Sequence, residues 1–284
     1  MKKTLVLILT ALLVLTSVLS VSCAKKIETP DPVSEEPQAP KEEAPLKLRV
    51  GSYNVSHARL VNFDVKTIAD EIVSLDLDIV GIQEVDRFAK RSNYVDMLEK
   101  LVMSTGYPFC HFFKAIDLEG DKATYGKEGE YGLIILSKYP IKTPETIKLD
   151  CPGIEQRIIA HAVIDVKGTD VDFYNTHLSF ESLSVRENQF KTLADTVKNK
   201  KPCIITGDFN IETASEFDAI PLSRVNAKDK TFITYPEDKL PLDNVFYTDE
   251  FKFISSDMNV TGHSDHNLIY AEFEFKPKTA EDNK

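Results

Sequence analysis

The chain has 284 residues, 42% of them apolar and 28% charged, with a net charge of −11. That apolar content supports one large core, because α/β enzymes of about 200–250 residues often fold as a single domain. The acidic balance, with no basic stripe in the sequence, counts against a dedicated binder of long nucleic acid, whose affinity comes largely from neutralising phosphates.

At the N-terminus, Lys2 and Lys3 precede an apolar run from Leu5 to Val21, the pattern of an export signal. The run ends at Cys23, after the small residues Ser20-Val21-Ser22. The leading reading is a lipoprotein signal over residues 1–22, with Cys23 lipidated and the chain anchored to the bacterial cell envelope. Leu19 lies one place further from Cys23 than such signals usually have it, so two other readings stand. One is release as a soluble secreted protein. The other is an uncleaved anchor, since about 18 apolar residues can just span a bilayer. All three put the remainder outside the cytoplasm. Residues 23–45 read as a tether, with Pro30, Pro32, Pro37, Pro40 and Pro45 among charged and small residues too polar to collapse.

From residue 46 to 276 the pattern is one α/β domain. Leu46 to Tyr53 alternates apolar and polar, as a half-buried strand does. Val65 to Leu75 predicts a helix, with Asp64 as its cap. Ile79 to Ile82 is a short apolar strand, and a second helix is expected over Tyr94 to Ser104. Residues 115–130, rich in Gly and charge, predict a loop. Strands follow at Leu133–Leu136, Ile158–Val166, Val171–Thr176, Ile204–Thr206, Asn244–Tyr247 and Ile269–Phe275, with a helix over Ser184 to Lys198. Residues 277–284 are a polar tail. Several connections are too short for a crossover helix, which implies mixed sheets. Apart from Cys23, Cys203 sits in an apolar run and reads as a buried small hydrophobe; a Cys110–Cys151 bridge is left open.

The polar residues of interest fall at strand ends: Asn54, Gln83-Glu84, Asn175-Thr176-His177, Gly207-Asp208-Phe209-Asn210 and Asp265-His266. Taken singly, each is an ordinary turn former or surface group. Together they would crowd carboxylates, amides and imidazoles at one sheet edge. Crowded carboxylates are costly unless a cation compensates them, and hard oxygen ligands favour Mg²⁺, Mn²⁺ or Ca²⁺ over zinc.

With Ser52-Tyr53-Asn54, Ile82-Gln83-Glu84-Val85, Tyr131 to Ser137, Asn175 to Leu178, Gly207 to Asn210, Leu242-Asp243-Asn244-Val245-Phe246 and Ser264-Asp265-His266 in this order, the chain resembles the endonuclease/exonuclease/phosphatase superfamily over essentially residues 46–275. The resemblance implies a four-layer sandwich: two mixed β-sheets face to face, flanked by helices. It implies metal-dependent phosphoester hydrolysis with Mg²⁺, Glu84 as principal metal ligand and Asn54 and Asp265 nearby. Asp208 and Asn210 would position or deprotonate the attacking water. His177 would contact the phosphate, and His266, oriented by Asp243, would lie near the scissile group. Arg157 would stand near the phosphate, whereas His161 reads as structural. His266 with Asp243, or Asp208, is the candidate base. The run Glu84 to Arg87 with Lys90-Arg91-Ser92 and Phe113 to Asp117 is similar to a bacterial branch related to a domain of glycosylphosphatidylinositol remodelling. There Arg87, Arg91 and Lys114 would either bind a head group or merely offset neighbouring acids. The expected substrate is a lipid head group or other small phosphoester, and a monomer is expected. The alternatives are a surface nuclease, which a basic face would favour, and a non-catalytic binding lipoprotein.

Overall fold

The computed structural model describes residues 45–121, 126–227 and 230–277. The signal segment, Cys23, the tether as far as residue 44 and the tail from residue 278 lie outside the described residues. Among the described residues, no helix is long and apolar enough to cross a membrane.

The strands form two six-stranded mixed sheets. The first runs β11 (Phe251–Asn259), β12 (Leu268–Phe275), β1 (Leu46–Asn54), β2 (Ile79–Arg87), β4 (Lys127–Ser137) and β3 (Phe109–Asp121). The second runs β5 (Ile141–Lys148), β6 (Ile158–Val166), β7 (Thr169–His177), β8 (Cys203–Asp208), β10 (Asp243–Tyr247) and β9 (Ser223–Arg224). Helices α1 (Val65–Ser74), α2 (Met97–Thr105) and α3 (Leu183–Val197) complete the described framework.

Alternation along each strand builds the layers. Val50, Ile79 and Ile135 of the first sheet meet Ile164, Phe173, Ile204 and Val245 of the second in a central core. The opposite faces of β1, β2 and β4 carry Tyr53, Val80, Ile82, Ile134 and Leu136, which pack on Ile68 and Ile72 of α1 and Leu101 of α2. On the other side Ile159, Tyr174 and Ile205 pack on Phe190 and Leu193 of α3. The result is the helix–sheet–sheet–helix sandwich that the strand pattern and the resemblance imply. Asp64 caps α1 as expected, accepting from the Lys66 backbone N–H at 3.2 Å.

One polar seam crosses the apolar interior. Asn175 of β7 donates to the Ile82 and Ile134 carbonyls, both at 3.0 Å, and accepts from Gln83 Nε2 at 2.6 Å. All three partners belong to the opposite sheet, so this amide fixes how the sheets are registered; losing such a buried bond costs about 1–3 kcal/mol. The sheets come so close here that a Cβ on Gly81 would lie 2.0 Å from Thr206 Oγ1.

Several expectations are corrected. Residues 115–130 are not mainly a loop: β3 reaches Asp121 and β4 begins at Lys127, with 122–125 outside the described residues. Helix α2 starts at Met97 rather than Tyr94. Asn93 and Tyr94 adopt left-handed backbone, Asp96 forms a bridge with Arg87, and the Asp96 side chain caps the helix. Strand β2 runs on past Ile82 to Arg87. Cys110, Cys151 and Cys203 are all free thiols, so the open question of a Cys110–Cys151 bridge closes without one.

Candidate active site

Two parallel strand pairs place the site. β1 and β2 run parallel, as do β7 and β8, and each pair is linked through a helix. The carboxyl ends of parallel strands form the crevice in which α/β proteins bind ligands. Those ends carry Asn54, Glu84, His177 and Asp208. Antiparallel neighbours bring the rest to the same edge: Asp243 opens β10 directly opposite Asp208, and Asp265-His266 precedes β12 beside β1.

Asp208 is the centre. Its carboxylate accepts from Asn54 Nδ2 at 2.9 Å and from the Asn210 backbone N–H at 3.0 Å. His177 Nε2 stands 3.5 Å from Asp208 Oδ2, and His266 Nε2 stands 3.6 Å from the same atom. Asn54 Nδ2 also reaches Glu84 Oε1 at 3.1 Å, so one amide ties the two acids together. The backbone at Glu84 is left-handed, with φ of 57°, inside a β-bulge where the β2–β4 register breaks between Ile82 and Val85. A bulge re-aims a side chain that regular alternation would bury. Here it turns the Glu84 carboxylate into the cleft. Asn210, also left-handed, donates its side-chain N–H to the Leu178 carbonyl at 2.9 Å.

Charge is distributed unevenly. Burial would raise the Glu84 carboxyl, but hydrogen bonding from His57 and Asn54 and the charge of His266 hold it well below the usual carboxylate range. Burial pushes the Asp208 carboxyl up to about 7, against the pull of His266 and with Asp243 adding to the rise. Burial would depress His266, yet Asp243 and Asp208 together raise it to about 10. Burial and Arg157 hold the His177 imidazole well below its ordinary value, so it is neutral. Tyr131 Oη lies 3.2 Å from its Nδ1, which leaves an Nε2–H facing Asp208 in the tautomer consistent with that network.

His266 Nδ1 bonds Asp243 Oδ2 at 2.8 Å, as the resemblance implies. Because the folded-state pKa of His266 is raised, this pair stabilises the fold fully below about 6.5, and the contribution is lost as pH rises towards 10. Asp243→Asn is therefore expected to cost about 3 kcal/mol at pH 6. In urea unfolding with EDTA the difference from the unsubstituted chain should shrink by at least half at pH 10. A cost independent of pH would show that the ion pair is not its source.

Arg157 is 3% exposed, yet its Nε and Nη1 have no hydrogen-bond partner; Nη2 lies 3.3 Å from Glu155. Arg157 lines a cleft of about 440 Å³ with Glu84, His177, Asp208, Asn210, Asp265 and His266. The cleft therefore joins every residue expected at the site except Asn54 and Asp243, which support it from below through Asp208 and His266. His161 lies elsewhere, bonded to Asp172 at 2.7 Å. Two contributors escaped the sequence reading, His57, 3.4 Å from Glu84, and Arg59, ion-paired with Asp265, while Tyr131 and Ser264, read there only as parts of motifs, gain roles, Tyr131 beside His177 and Ser264 donating to the Asn54 carbonyl at 2.8 Å. Ser56, His57 and Ala58 are all left-handed, a strained run of the kind that clusters at functional sites and leaves no periodic signal.

The donor set suits a divalent cation. It consists of carboxylates and an amide, which hard ions prefer. The buried Asp243 Oδ1 has no hydrogen-bond partner, an acceptor that a cation would satisfy. Two arrangements are available. Asp208, Asp243 and His266 offer ligand atoms within 4.8 Å of one another. In that group His266 already shares its proton with Asp243 and would have to surrender it. Glu84 carries no such burden, and a quarter of its side chain is open to the cleft. Of its expected companions, Asp265 is engaged by Arg59, and Asn54 presents its N–H rather than its oxygen to the acids.

The sequence profile of the Endonuclease/Exonuclease/phosphatase family matches residues 51–266, which span all of these groups. The chain belongs to this family. Family members are phosphoester hydrolases, generally metal-dependent. Among solved structures the chain is similar to an endonuclease/exonuclease/phosphatase from Beutenbergia cavernae, at TM-score 0.68 and 21% identity over 81% of this chain and 72% of that one. It is also similar to a family protein from Bacteroides thetaiotaomicron, at TM-score 0.63 and 18% identity over 82% and 100%. A third is the mannosyl-6-phosphatase of Bacteroides thetaiotaomicron, at TM-score 0.58 and 19% identity over 80% and 100%. At such identities the likeness establishes the fold. No curated protein matches the chain.

Proposed function

We propose that this family member hydrolyses a phosphoester in a divalent-metal-dependent reaction, on a lipid head group or another small phosphoester outside the cytoplasm. The observation that carries the reading is the pairing of opposites in one cleft: Glu84 and Asp208 on one side, and the buried, unpartnered Arg157 donors on the other. Carboxylates alone would repel a phosphate, and a guanidinium alone would only bind it. Mg²⁺, with Mn²⁺ or Ca²⁺ as substitutes, would supply Lewis-acid withdrawal of charge from a non-bridging oxygen, held by Glu84 with Asp265 and Asn54 nearby.

The chain's own groups divide the remaining work. Arg157 holds a phosphate oxygen through its guanidinium. The neutral His177 donates from Nε2. Asp208, with its pKa raised towards the working pH, takes the proton of the attacking water, and Asn210 fixes its orientation. His266 is already protonated between two carboxylates, so it acts as a donor to charge developing on the leaving side and not as the base.

The cations around the cleft favour a small substrate over a nucleic acid. Arg87 is paired with Asp96, Arg91 with Asp86, Lys114 with Asp117, and Arg186 with Glu212 and Glu216. Arg91 and Arg186 line the cleft, whereas Arg87 and Lys114 line a separate pocket, and among the described residues Arg157 is the one cleft arginine with unpartnered donors, which suits a single phosphate and not a long polyanion. Export rests on the apolar run Leu5–Val21, and anchoring of the monomer to the envelope rests on Cys23.

The test follows hydrolysis of bis-p-nitrophenyl phosphate, sphingomyelin and plasmid DNA in parallel, with Mg²⁺ or EDTA. Metal-dependent cleavage of the first two with intact DNA is expected, in a membrane fraction that loses the activity on Cys23→Ser. Faster cleavage of DNA would replace this reading with the nuclease, and inactivity with every metal would leave a binding protein.

A further inference from the structure

Glu71 interrupts the buried face of α1. Its neighbours there, Ile68, Ala69 and Ile72, are apolar, and Glu71 itself is only 4% exposed. A carboxylate in such a position is costly unless it is fully hydrogen-bonded, and a well-packed apolar side chain would usually serve a helix face as well or better. Glu71 is met by four donors. Its Oε2 accepts from Tyr53 Oη at 3.0 Å, from Thr261 Oγ1 at 2.8 Å and from His263 Nδ1 at 3.0 Å; its Oε1 accepts from Asn259 Nδ2 at 3.0 Å.

The donors come from two places that matter to the cleft. Tyr53 immediately precedes Asn54. The turn 259–263 leads directly into Ser264, Asp265 and His266. That turn has no apolar anchor: Val260 is 66% exposed, Thr261 is exposed, and Gly262 is left-handed with φ of 74°. Between the last β11–β12 pair, Asn259 with Leu268, and the buried Ser264, its side-chain bonds to Glu71 tie it to α1. Ser264 then completes the circuit by donating to the Asn54 carbonyl.

We propose that Glu71 is a positioning residue which, from the back of the first sheet, clamps the 259–263 turn to the end of β1 and so fixes Asp265 and His266 against Glu84 and Asp208. The inference rests on the hydrolase reading for its kinetic consequence, but Glu71 touches no reacting atom. A misplacement of about 1 Å at a reacting centre can cost 10²-fold in rate, so slackening the turn shows in turnover.

The experiment compares the unsubstituted full chain with Glu71→Ala, Glu71→Gln, a Thr261→Val/His263→Gln double variant and Asp70→Asn. Asp70 is an exposed acid of the same helix, paired with Lys66. Steady-state hydrolysis of bis-p-nitrophenyl phosphate is measured well below each Tm, and hydrogen exchange is followed across residues 259–266. Glu71→Ala and the double variant should lower kcat by about 10-fold or more with KM little changed, and speed exchange in 259–266 without affecting β8 or β10. Glu71→Gln keeps an acceptor for most of the donors and should recover most of kcat, while Asp70→Asn should match the unsubstituted chain. Unchanged kcat and unchanged exchange in the double variant would overturn the proposal, as would losses that merely follow Tm. Should Glu71→Ala not fold, the double variant, which leaves α1 intact, decides alone. Should the unsubstituted chain hydrolyse nothing, the hydrolase reading fails and the exchange measurement still judges Glu71.

Discussion

Asp208→Asn should lower kcat on bis-p-nitrophenyl phosphate by about 10³-fold or more, the upper part of the range expected for loss of a general base. The reason is position as much as chemistry. Asp208 is 1% exposed and, among the described residues, is the one carboxylate within reach of Asn54, His177, His266 and the Asn210 backbone together. Burial holds its proton affinity near neutrality, where a base both exists ionised and accepts a proton readily. Asn is isosteric and keeps the acceptor for the Asn210 N–H, so the strand end should keep its shape while proton transfer is removed. Single-turnover rates with thermal unfolding measured alongside check this. A variant that is folded, metal-bound and within tenfold of the unsubstituted rate would remove Asp208 from the base role and return it to the His266–Asp243 pair.

Glu84→Gln should weaken Mg²⁺ or Mn²⁺ binding by more than about 100-fold, since even outer groups around a metal site cost 10–100-fold when replaced. Two geometries compete for the cation, and this substitution separates them. Glu84 is held ionised by hydrogen bonding from His57 and Asn54, is aimed into the cleft by the β2 bulge, and lies next to Asp208 across Asn54. The Asp208, Asp243 and His266 group brings its ligand atoms within 4.8 Å of one another but must first expel the His266 proton. Calorimetric titration of the two variants Glu84→Gln and Asp243→Asn decides. If Glu84→Gln binds normally and Asp243→Asn does not, the cation belongs to the deeper group.

The strands that escaped the sequence reading have one property in common. β3 and β11 are the edges of the first sheet, and β5 and β9 are the edges of the second. Edge strands bury little: Thr143 to Thr146 of β5 and Lys252 to Ser255 of β11 are exposed. With little to pack against, such positions admit charged pairs such as Lys114 with Asp117 beside exposed apolar groups such as Phe253 and Ile254, and alternation of apolar residues is not imposed. The central strands β1, β2, β4, β6, β7, β8, β10 and β12 are covered on both faces or on one face and a helix, so their apolar patterns were plain.

The site was legible to a different degree. Asn54, Glu84, His177 and Asp208 could be named because they fall at or near the carboxyl ends of parallel strands, and His266 because it precedes the last strand, while the roles expected of them came from the resemblance, which holds all five in family order. What the sequence by itself determined was the inventory: which strands are central, which helices cover them, and which acids, amides and imidazoles stand at their ends, because local periodicity and residue chemistry are properties of neighbours along the chain. What only the tertiary structure decided was how these groups act on one another. The bulge that turns Glu84 inward, the left-handed run that delivers His57, the burial that separates the proton affinities of Asp208, His177 and His266, and the Glu71 clamp all depend on contacts between segments far apart in sequence. Dielectric, strain and hydrogen-bond partnership arise from those contacts and not from spacing.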